Sequence, residues 1–144
     1  MSIVIREVFC QADAPLCYPV MRQLRPESAS AEALADAWQL QAADGYRMFA
    51  LLDGDVVGAL AGFRQGRNFV HGRHIYVDDL VTDEAMRGKG YGAMLLNRIR
   101  EEARSLGCGR ILLDTPMANA LGQRFYFREG MLATAMRFTE VLKS

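Results

Sequence analysis

The sequence predicts an α/β fold whose central sheet is mixed and mostly antiparallel, with helices on its flanks. Asp53-Gly54 separates two apolar, β-type runs, which is a strong signal for an antiparallel hairpin. Further along, a strand pattern passes through a glycine-rich loop into a helix pattern, which is typical of a crossover connection. The length of 144 residues predicts a single domain, residues 1–144.

The first third of the chain predicts one strand and two helices. Apolar residues from Ile3 to Phe9 suggest a short strand, and residues 12–25 and 30–44 have helical patterns. Ser30 is a candidate N-cap for the second helix. Proline lacks an amide hydrogen, so the first helix should be irregular at its two prolines, Pro15 and Pro19.

The middle of the chain predicts the main hairpin and the strand beside it. Residues 46–53 and 55–63 form the two arms of the hairpin. The polar residues 64–72 predict a loop, and a further strand runs from about His74 to Thr82.

The last third predicts alternating helices and strands. A helix of about fifteen residues follows the glycine-rich loop, since its apolar residues recur every fourth position, and Gly107 should end it. Residues 110–114 predict a short buried strand, residues 118–129 a helix and residues 131–142 a final strand.

Charge and composition exclude several functional classes. Seventeen basic and seventeen acidic residues cancel, which predicts no nucleic-acid partner, because such proteins carry excess positive charge. Three cysteines without CxxC spacing predict neither a disulfide framework nor a metal site. The longest uncharged apolar run, Val56–Phe63, falls far short of the ~20 residues that span a membrane. The N-terminus lacks a signal-peptide core, so we expect a cytoplasmic protein.

The glycine-rich loop is the most informative segment. It has glycines at positions 88, 90 and 92, and it lies between a strand and a helix. Amide groups at a helix N-terminus converge on one point and bind phosphate oxygens. Glycine allows close approach of the anion, and Arg87 and Lys89 add positive charge.

The spacing of this loop disfavours two other phosphate-binding motifs. A Walker loop requires GxxxxGK[ST], whereas glycine follows Lys89. A dinucleotide fingerprint requires GxGxxG after the first strand, whereas this loop has GxGxG and comes late in the chain. An incidental glycine-rich turn is the remaining alternative.

Two blocks resemble the GNAT superfamily of N-acetyltransferases. Arg87-Gly-Lys-Gly-Tyr-Gly92, preceded by Asp78-Asp-Leu-Val-Thr, looks like the family's (R/Q)xxGx(G/A) motif. Residues 119–131, NALGQRFYFREGM, resemble its N-x-x-A-x-x-F-Y-x-x-x-G-(F/M) helix, with Gly122 at the usual alanine. The order of predicted elements matches along essentially the whole chain.

The resemblance implies acetyl-CoA as acyl donor, bound where two strands splay apart, with no metal. The pantetheine would pair with the strand, and the pyrophosphate would rest on the glycine-rich loop. Asn119 would contact the CoA arm. The implied binding residues are Leu80, Val81, Thr82, Arg87, Gly88, Lys89, Gly90, Tyr91, Gly92 and Asn119.

The resemblance also implies direct attack of an amine on the thioester. Tyr126 matches the tyrosine that protonates the leaving thiolate, and Asp78 matches an acidic general base. Asp79 or a chain of water molecules is the alternative base, and neighbouring strand residues should point to opposite faces. The amide of Val81 would stabilise the oxyanion. Cys108 is expected to be a small packed residue.

The acceptor is less constrained. A small-molecule or peptide amine is expected, and the arginine-rich loop 64–74 is either a basic rim or a solvated hairpin tip. Homodimer formation is allowed by exposed strand edges. A CoA-binding regulatory domain without turnover is the rival function, and a nucleotide-binding module is disfavoured.

Overall fold

The computed structural model of the protein describes residues 2–143, which form two compact units, residues 2–113 and 114–143. The first unit holds all five strands and three helices. The strands are β1 Ile3–Val8, β2 Arg47–Asp53, β3 Val56–Asn68, β4 Gly72–Thr82 and β5 Arg110–Leu113. Its helices are α1 Cys10–Leu24, α2 Ala31–Ala43 and α3 Tyr91–Ser105, and the second unit contains α4 Ala120–Arg128.

The five strands form one open sheet in the order β1-β2-β3-β4-β5. The first four pair antiparallel, and only β4 and β5 run parallel. The crossover from β4 to β5 contains α3, as a parallel connection requires. The predicted mixed, mostly antiparallel sheet is therefore confirmed.

Two apolar cores form on the sheet. One joins α1 and α2 to the sheet through buried residues such as Val20, Trp38 and Leu60. The other joins α3 through Leu95 and Ile99, which are fully buried. Burial of each such side chain stabilises the fold by about 1.5–3 kcal/mol, so both helix layers are firmly held.

Local signals place the helix ends where the sequence predicts them. The Ser30 hydroxyl accepts a hydrogen bond from the Ala33 amide at 3.0 Å, which caps α2. Gly107 has a φ of +74° after the last turn of α3, as a left-handed helix stop requires. Helix α1 runs from Cys10 to Leu24, and both Pro15 and Pro19 lie inside it.

The polar segment 64–72 is not the predicted loop. Strand β3 continues through Asn68 and pairs with β4 from Gly72 onward, so only residues 69–71 turn the chain. Main-chain hydrogen bonds hold such a ribbon together even where both faces are polar, and side-chain polarity therefore misleads there.

The predicted strand at 131–142 is wrong, since residues 131–143 contain no strand. Alternating apolar residues form a strand only when a neighbouring strand supplies hydrogen bonds, and residues 114–143 contain no such partner. The helix predicted at 118–129 is present as α4, capped by Asn119.

Among the described residues, no helix is long and apolar enough to cross a membrane. Residues 2–143 also contain no group of three or more histidine, cysteine, aspartate or glutamate side chains arranged to hold a metal ion.

Candidate active site

The end of β4 has one unpaired edge. Pairing with β5 covers His74 to Val77 and stops where β5 ends at Leu113. Strand β4 continues to Thr82 and remains paired with β3 along its other edge. Within residues 2–143, no strand therefore covers the β5-side edge of residues 78–82. This free edge is where a ligand could add hydrogen bonds to Leu80, Val81 and Thr82.

A β-bulge interrupts β4 at Asp78. Gly62 pairs with Asp79 and Phe63 pairs with Val77, which leaves Asp78 as the extra residue. A bulge shifts the alternation of side chains by one residue. Accordingly Val77 and Leu80 pack on the α3 side, whereas Val81 packs on the side of α1 and α2.

The bulge overturns the expectation that Asp78 and Asp79 point to opposite faces. Asp79 bonds Tyr46 and Arg25, and Tyr46 belongs to the core beneath α1 and α2. Asp78 forms a two-fold hydrogen bond with Arg64, at 2.8 and 2.9 Å, and Arg64 directly follows Phe63 of the α3-side core, so its side chain points to the opposite side. Both carboxylate side chains therefore lie on the side of the sheet that faces α1 and α2.

The loop after β4 forms an amide-rich cradle, residues 87–93. The first hydrogen bond of α3 runs from the Met94 amide to the Gly90 carbonyl, so the amides of Tyr91, Gly92 and Ala93 lack acceptors within the helix. Gly88 and Gly90 have φ values of +84° and +79°, which favour glycine. A Cβ at either glycine would meet open space, so the loop leaves room for an anion.

Charge at the cradle is positive. Arg87 and Lys89 are both exposed, and the helix dipole adds partial positive charge at the start of α3. The first turn of α3 contains no acidic residue that would neutralise it.

The side chain of Tyr91 anchors the cradle rather than lining it. Its ring is buried in the α3-side core, and its hydroxyl donates to Asp53 Oδ2 at 2.6 Å. The hydrogen bond to Asp53 raises the pKa of Tyr91. A Cβ at Gly58 would lie 2.8 Å from the Tyr91 ring, so this glycine makes room for the anchor. Only the main chain of Tyr91 is available to a ligand.

Gln23 was not identified from the sequence, yet it ties α1 to the loop. Its Oε1 accepts from the Glu84 amide at 2.9 Å, and its Nε2 donates to Asp83 Oδ1 at 3.2 Å. Asp83 also caps the short 3₁₀ turn Glu84–Met86. No local sequence pattern links residues sixty positions apart, and so only the folded chain reveals this contact.

Asn119 and Tyr126 both lie in the second unit. The Asn119 side chain caps α4: Oδ1 accepts from the Gly122 amide at 3.0 Å and Nδ2 donates to Thr115 Oγ1 at 3.1 Å. A Cβ at Gly122 would lie 2.4 Å from Asn119 Nδ2. Glycine in place of the family's usual alanine therefore accommodates this cap.

Tyr126 has the protonation state that an acid requires. Its ring packs edge-to-face on Phe125, with ring centres 5.3 Å apart. Partial burial raises the pKa of the Tyr126 hydroxyl, so its proton is retained at neutral pH.

Cys17 is unsuited to nucleophilic catalysis. Burial raises the pKa of Cys17 to about 12, which keeps its thiol protonated. Cys108 packs against the α3-side core, as predicted for a small packed residue.

Comparison with known proteins identifies the family. The model of the acetyltransferase (GNAT) family matches residues 11–131. The chain belongs to the GNAT acetyltransferases. This GNAT protein is 33% identical over 109 residues to an uncharacterized N-acetyltransferase of Bacillus subtilis, covering 76% of this chain and 77% of the relative. It is 31% identical over 134 residues to the aminoalkylphosphonate N-acetyltransferase of Salmonella typhimurium, covering 90% and 86%.

Solved structures share the fold of this GNAT protein. The aminoglycoside N-acetyltransferase AAC(6')-Iy in complex with CoA superposes with a TM-score of 0.84 at 18% identity, covering 99% of this chain and 96% of that one. Glucosamine-6-phosphate N-acetyltransferase from Arabidopsis thaliana gives 0.78 at 18% identity, covering 99% and 100%. The family resemblance inferred from the two motifs is confirmed. The predicted fold class and the predicted enzyme class, N-acetyltransferase, are confirmed as well.

Proposed function

We propose that this GNAT enzyme transfers an acetyl group from acetyl-CoA to a primary amine by direct attack. The cradle at the start of α3 carries the proposal, because it combines amides without helical acceptors, two left-handed glycines and positive charge. In this proposal the pyrophosphate binds along Arg87–Gly92, and the pantetheine pairs with the free edge at Leu80–Thr82. Asn119 contacts the CoA arm.

The proposed chemistry assigns one task to each group. Asp78 removes a proton from the amine, directly or through water, while Asp79 and a water chain remain alternatives. The amide of Val81 stabilises the oxyanion, and Tyr126 donates its proton to the departing thiolate sulfur. No covalent enzyme intermediate is required.

Arg64 constrains the role of Asp78. Both carboxylate oxygens of Asp78 already accept hydrogen bonds from this guanidinium. Each carboxylate oxygen has a second acceptor position, and so Asp78 can receive one more donor while Arg64 stays bound. The Arg64 side chain is 48% exposed, which allows an acceptor molecule to reach the pair.

A small-molecule amine is the proposed acceptor. The Salmonella typhimurium relative is named for aminoalkylphosphonates and the Arabidopsis thaliana structure for glucosamine 6-phosphate, and both substrates combine an amine with a phosphorus oxyanion. Arg25 and Arg64 are about half exposed, and their free N–H groups could bind such an oxyanion.

The predicted homodimer stays a prediction that sedimentation equilibrium would test.

The decisive experiment measures thiol release from acetyl-CoA against a panel of amines, with aminoalkylphosphonates and amino sugar phosphates next to neutral amines. Isothermal titration calorimetry with CoA is run on the same protein. Amine-dependent thiol release supports the proposal. Heat of CoA binding without thiol release would favour the regulatory alternative, and absence of CoA binding would refute both.

A further inference from the structure

The Asp79 carboxylate is bound by two other side chains and is largely shielded from solvent. Its side chain is 11% exposed, and both of its oxygens accept hydrogen bonds. Oδ2 accepts from the Tyr46 hydroxyl at 2.7 Å, and Oδ1 accepts from Arg25 Nε at 2.9 Å. Hydrogen bonds to a carboxylate acceptor are among the stronger ones in proteins, so these contacts restrict the orientation of the Asp79 side chain.

Gly62 is what allows Tyr46 to reach Asp79. It is the cross-strand partner of Asp79 on β3. A Cβ at Gly62 would lie 1.6 Å from the Tyr46 hydroxyl oxygen and 2.3 Å from the ring carbon that bears it. The hydroxyl therefore occupies the volume that any other residue at position 62 would fill.

Arg25 connects this cluster to the bulge itself. Its Nη2 donates to the main-chain carbonyl of Asp78 at 3.1 Å, while its Nε holds Asp79. Asp78 is the residue left without a partner in the β3–β4 register. One guanidinium, at the C-terminal end of α1, thus binds both residues that define the bulge.

We propose that Arg25, Tyr46 and Asp79 are positioning residues that fix the bulge and thereby set the direction of the strand end Leu80–Thr82. This inference rests on the proposed function, in which that strand end binds the acyl donor and Asp78 faces the amine. In this inference Asp79 holds the bulge rather than serving as the alternative base, because its side chain is 11% exposed against 22% for Asp78 and its oxygens bind two different residues, Tyr46 and Arg25. The three residues act through the main chain and do not touch the reacting atoms.

The test substitutes Tyr46→Phe, with Tyr18→Phe as the matched control. Tyr18 also loses one hydroxyl hydrogen bond, to the Ser28 carbonyl at 3.2 Å, but among the described residues it forms no hydrogen bond to Asp78 or Asp79. We expect Tyr46→Phe to lower kcat by about tenfold to a hundredfold, since misplacement by about 1 Å costs that much. The KM for acetyl-CoA should change less than kcat, because the cradle at Arg87–Gly92 is untouched.

Hydrogen exchange of the ligand-free protein provides a second readout, independent of activity. Amides of residues 78–82 should exchange faster in Tyr46→Phe, whereas those of β1 keep their wild-type rates. Arg25→Gln alters an exposed side chain and should give the same pattern. Tyr46 and Arg25 both bind Asp79. The free energy of exchange lost at residues 78–82 in the double variant should therefore be smaller than the sum of the losses in the two single variants.

The outcomes separate the two proposals. Unchanged exchange at 78–82 in both variants would overturn the positioning role, whatever the activity. Faster exchange with wild-type kcat would also overturn it, since the bulge would then be irrelevant to the reaction. A wild-type protein that does not bind CoA would refute the proposed function and end the kinetic comparison, while hydrogen exchange would still decide whether the cluster holds the bulge.

Discussion

Single residues at the site depend on neighbours that are distant in sequence. Asp78 looks like a free acidic base in the sequence, yet the structure pairs it with Arg64, and it pairs Asp79 with Arg25 and Tyr46. Gly62 shows why: a glycine in a strand often marks a close approach by another group, here the Tyr46 hydroxyl. Sequence reasoning could find the carboxylates but not their partners.

The substitution Tyr126→Phe tests the proposed acid. We expect kcat to fall by about 10²–10⁴-fold, the usual contribution of general acid–base catalysis, with little change in the KM for acetyl-CoA. Partial burial raises the pKa of Tyr126, so the wild-type hydroxyl keeps its proton at neutral pH, and the descending, alkaline limb of the rate profile should lie at higher pH than for an ordinary tyrosine. A variant with wild-type turnover would remove Tyr126 from the mechanism.

Asp78→Asn tests the base. If Asp78 accepts the proton of the amine, the variant should lose turnover and the ascending limb of its pH–rate profile should change shape. Asp79→Asn serves as the comparison, because Asp79 is assigned to positioning and should lower kcat without altering that limb. The same profile in Asp78→Asn and the wild type would favour deprotonation through water.

At the scale of elements, the bulge in β4 and the N-terminus of α3 shape the site. Strand β4 extends five residues beyond its pairing with β5, and the following loop leads into α3, whose first three amides have no acceptor within the helix. Tyr91 fixes this start of the helix to the end of β2 through Asp53. A rigid strand, a glycine loop and an anchored helix thus define the binding edge together.

Gly90→Val tests the cradle. Valine would be strained at a φ of +79° and would add a side chain where the amides face open space, so we expect CoA affinity to fall by about tenfold or more. Gly45→Val is the matched control, because Gly45 also has a positive φ, +93°, and open space around it. Equal CoA affinity in the two variants, measured by calorimetry, would contradict the assignment of the loop.

At the scale of the whole molecule, charge links α3 to the sheet. Arg47 on β2 donates to Glu7 on β1 at 2.8 Å and to Glu102 on α3 at 2.7 Å. Glu102 also pairs with Arg98.

None of residues 114–143 is buried, so they contain no core of their own. That all 144 residues fold as one domain stays a prediction.

Acid should weaken this link. Burial alone would raise the pKa of Glu102, but hydrogen bonds from Arg47 and Arg98 outweigh it and hold that pKa below its usual value. The ion pairs therefore stabilise the fold above about pH 4.3 and are lost as pH falls through the lowered pKa. We expect Glu102→Gln to lower Tm by about 2–4 °C at pH 7, for a loss of about 1 kcal/mol, and by much less near pH 3.

Glu101→Gln is the control for that measurement. Glu101 is exposed and forms no ion pair among the described residues, so its substitution should leave Tm nearly unchanged at both pH values. A deficit in Glu102→Gln that persists undiminished at pH 3 would show that packing, rather than charge, is responsible.

The sequence by itself determined the fold class, the Asp53-Gly54 hairpin, the ends of α2 and α3 and the glycine cradle. Each of these depends on local rules of turn geometry, capping and periodicity, which act within a few residues. The loop predicted at 64–72 and the strand predicted at 131–142 were both wrong, because strand formation there depends on a pairing partner rather than on side-chain polarity. Only the tertiary structure decided that Asp78 and Asp79 share one side of the sheet, because a bulge is a property of two paired strands. The same holds for Arg25, Tyr46 and Gln23, whose partners lie 33 to 61 positions away and meet them only after the sheet has formed.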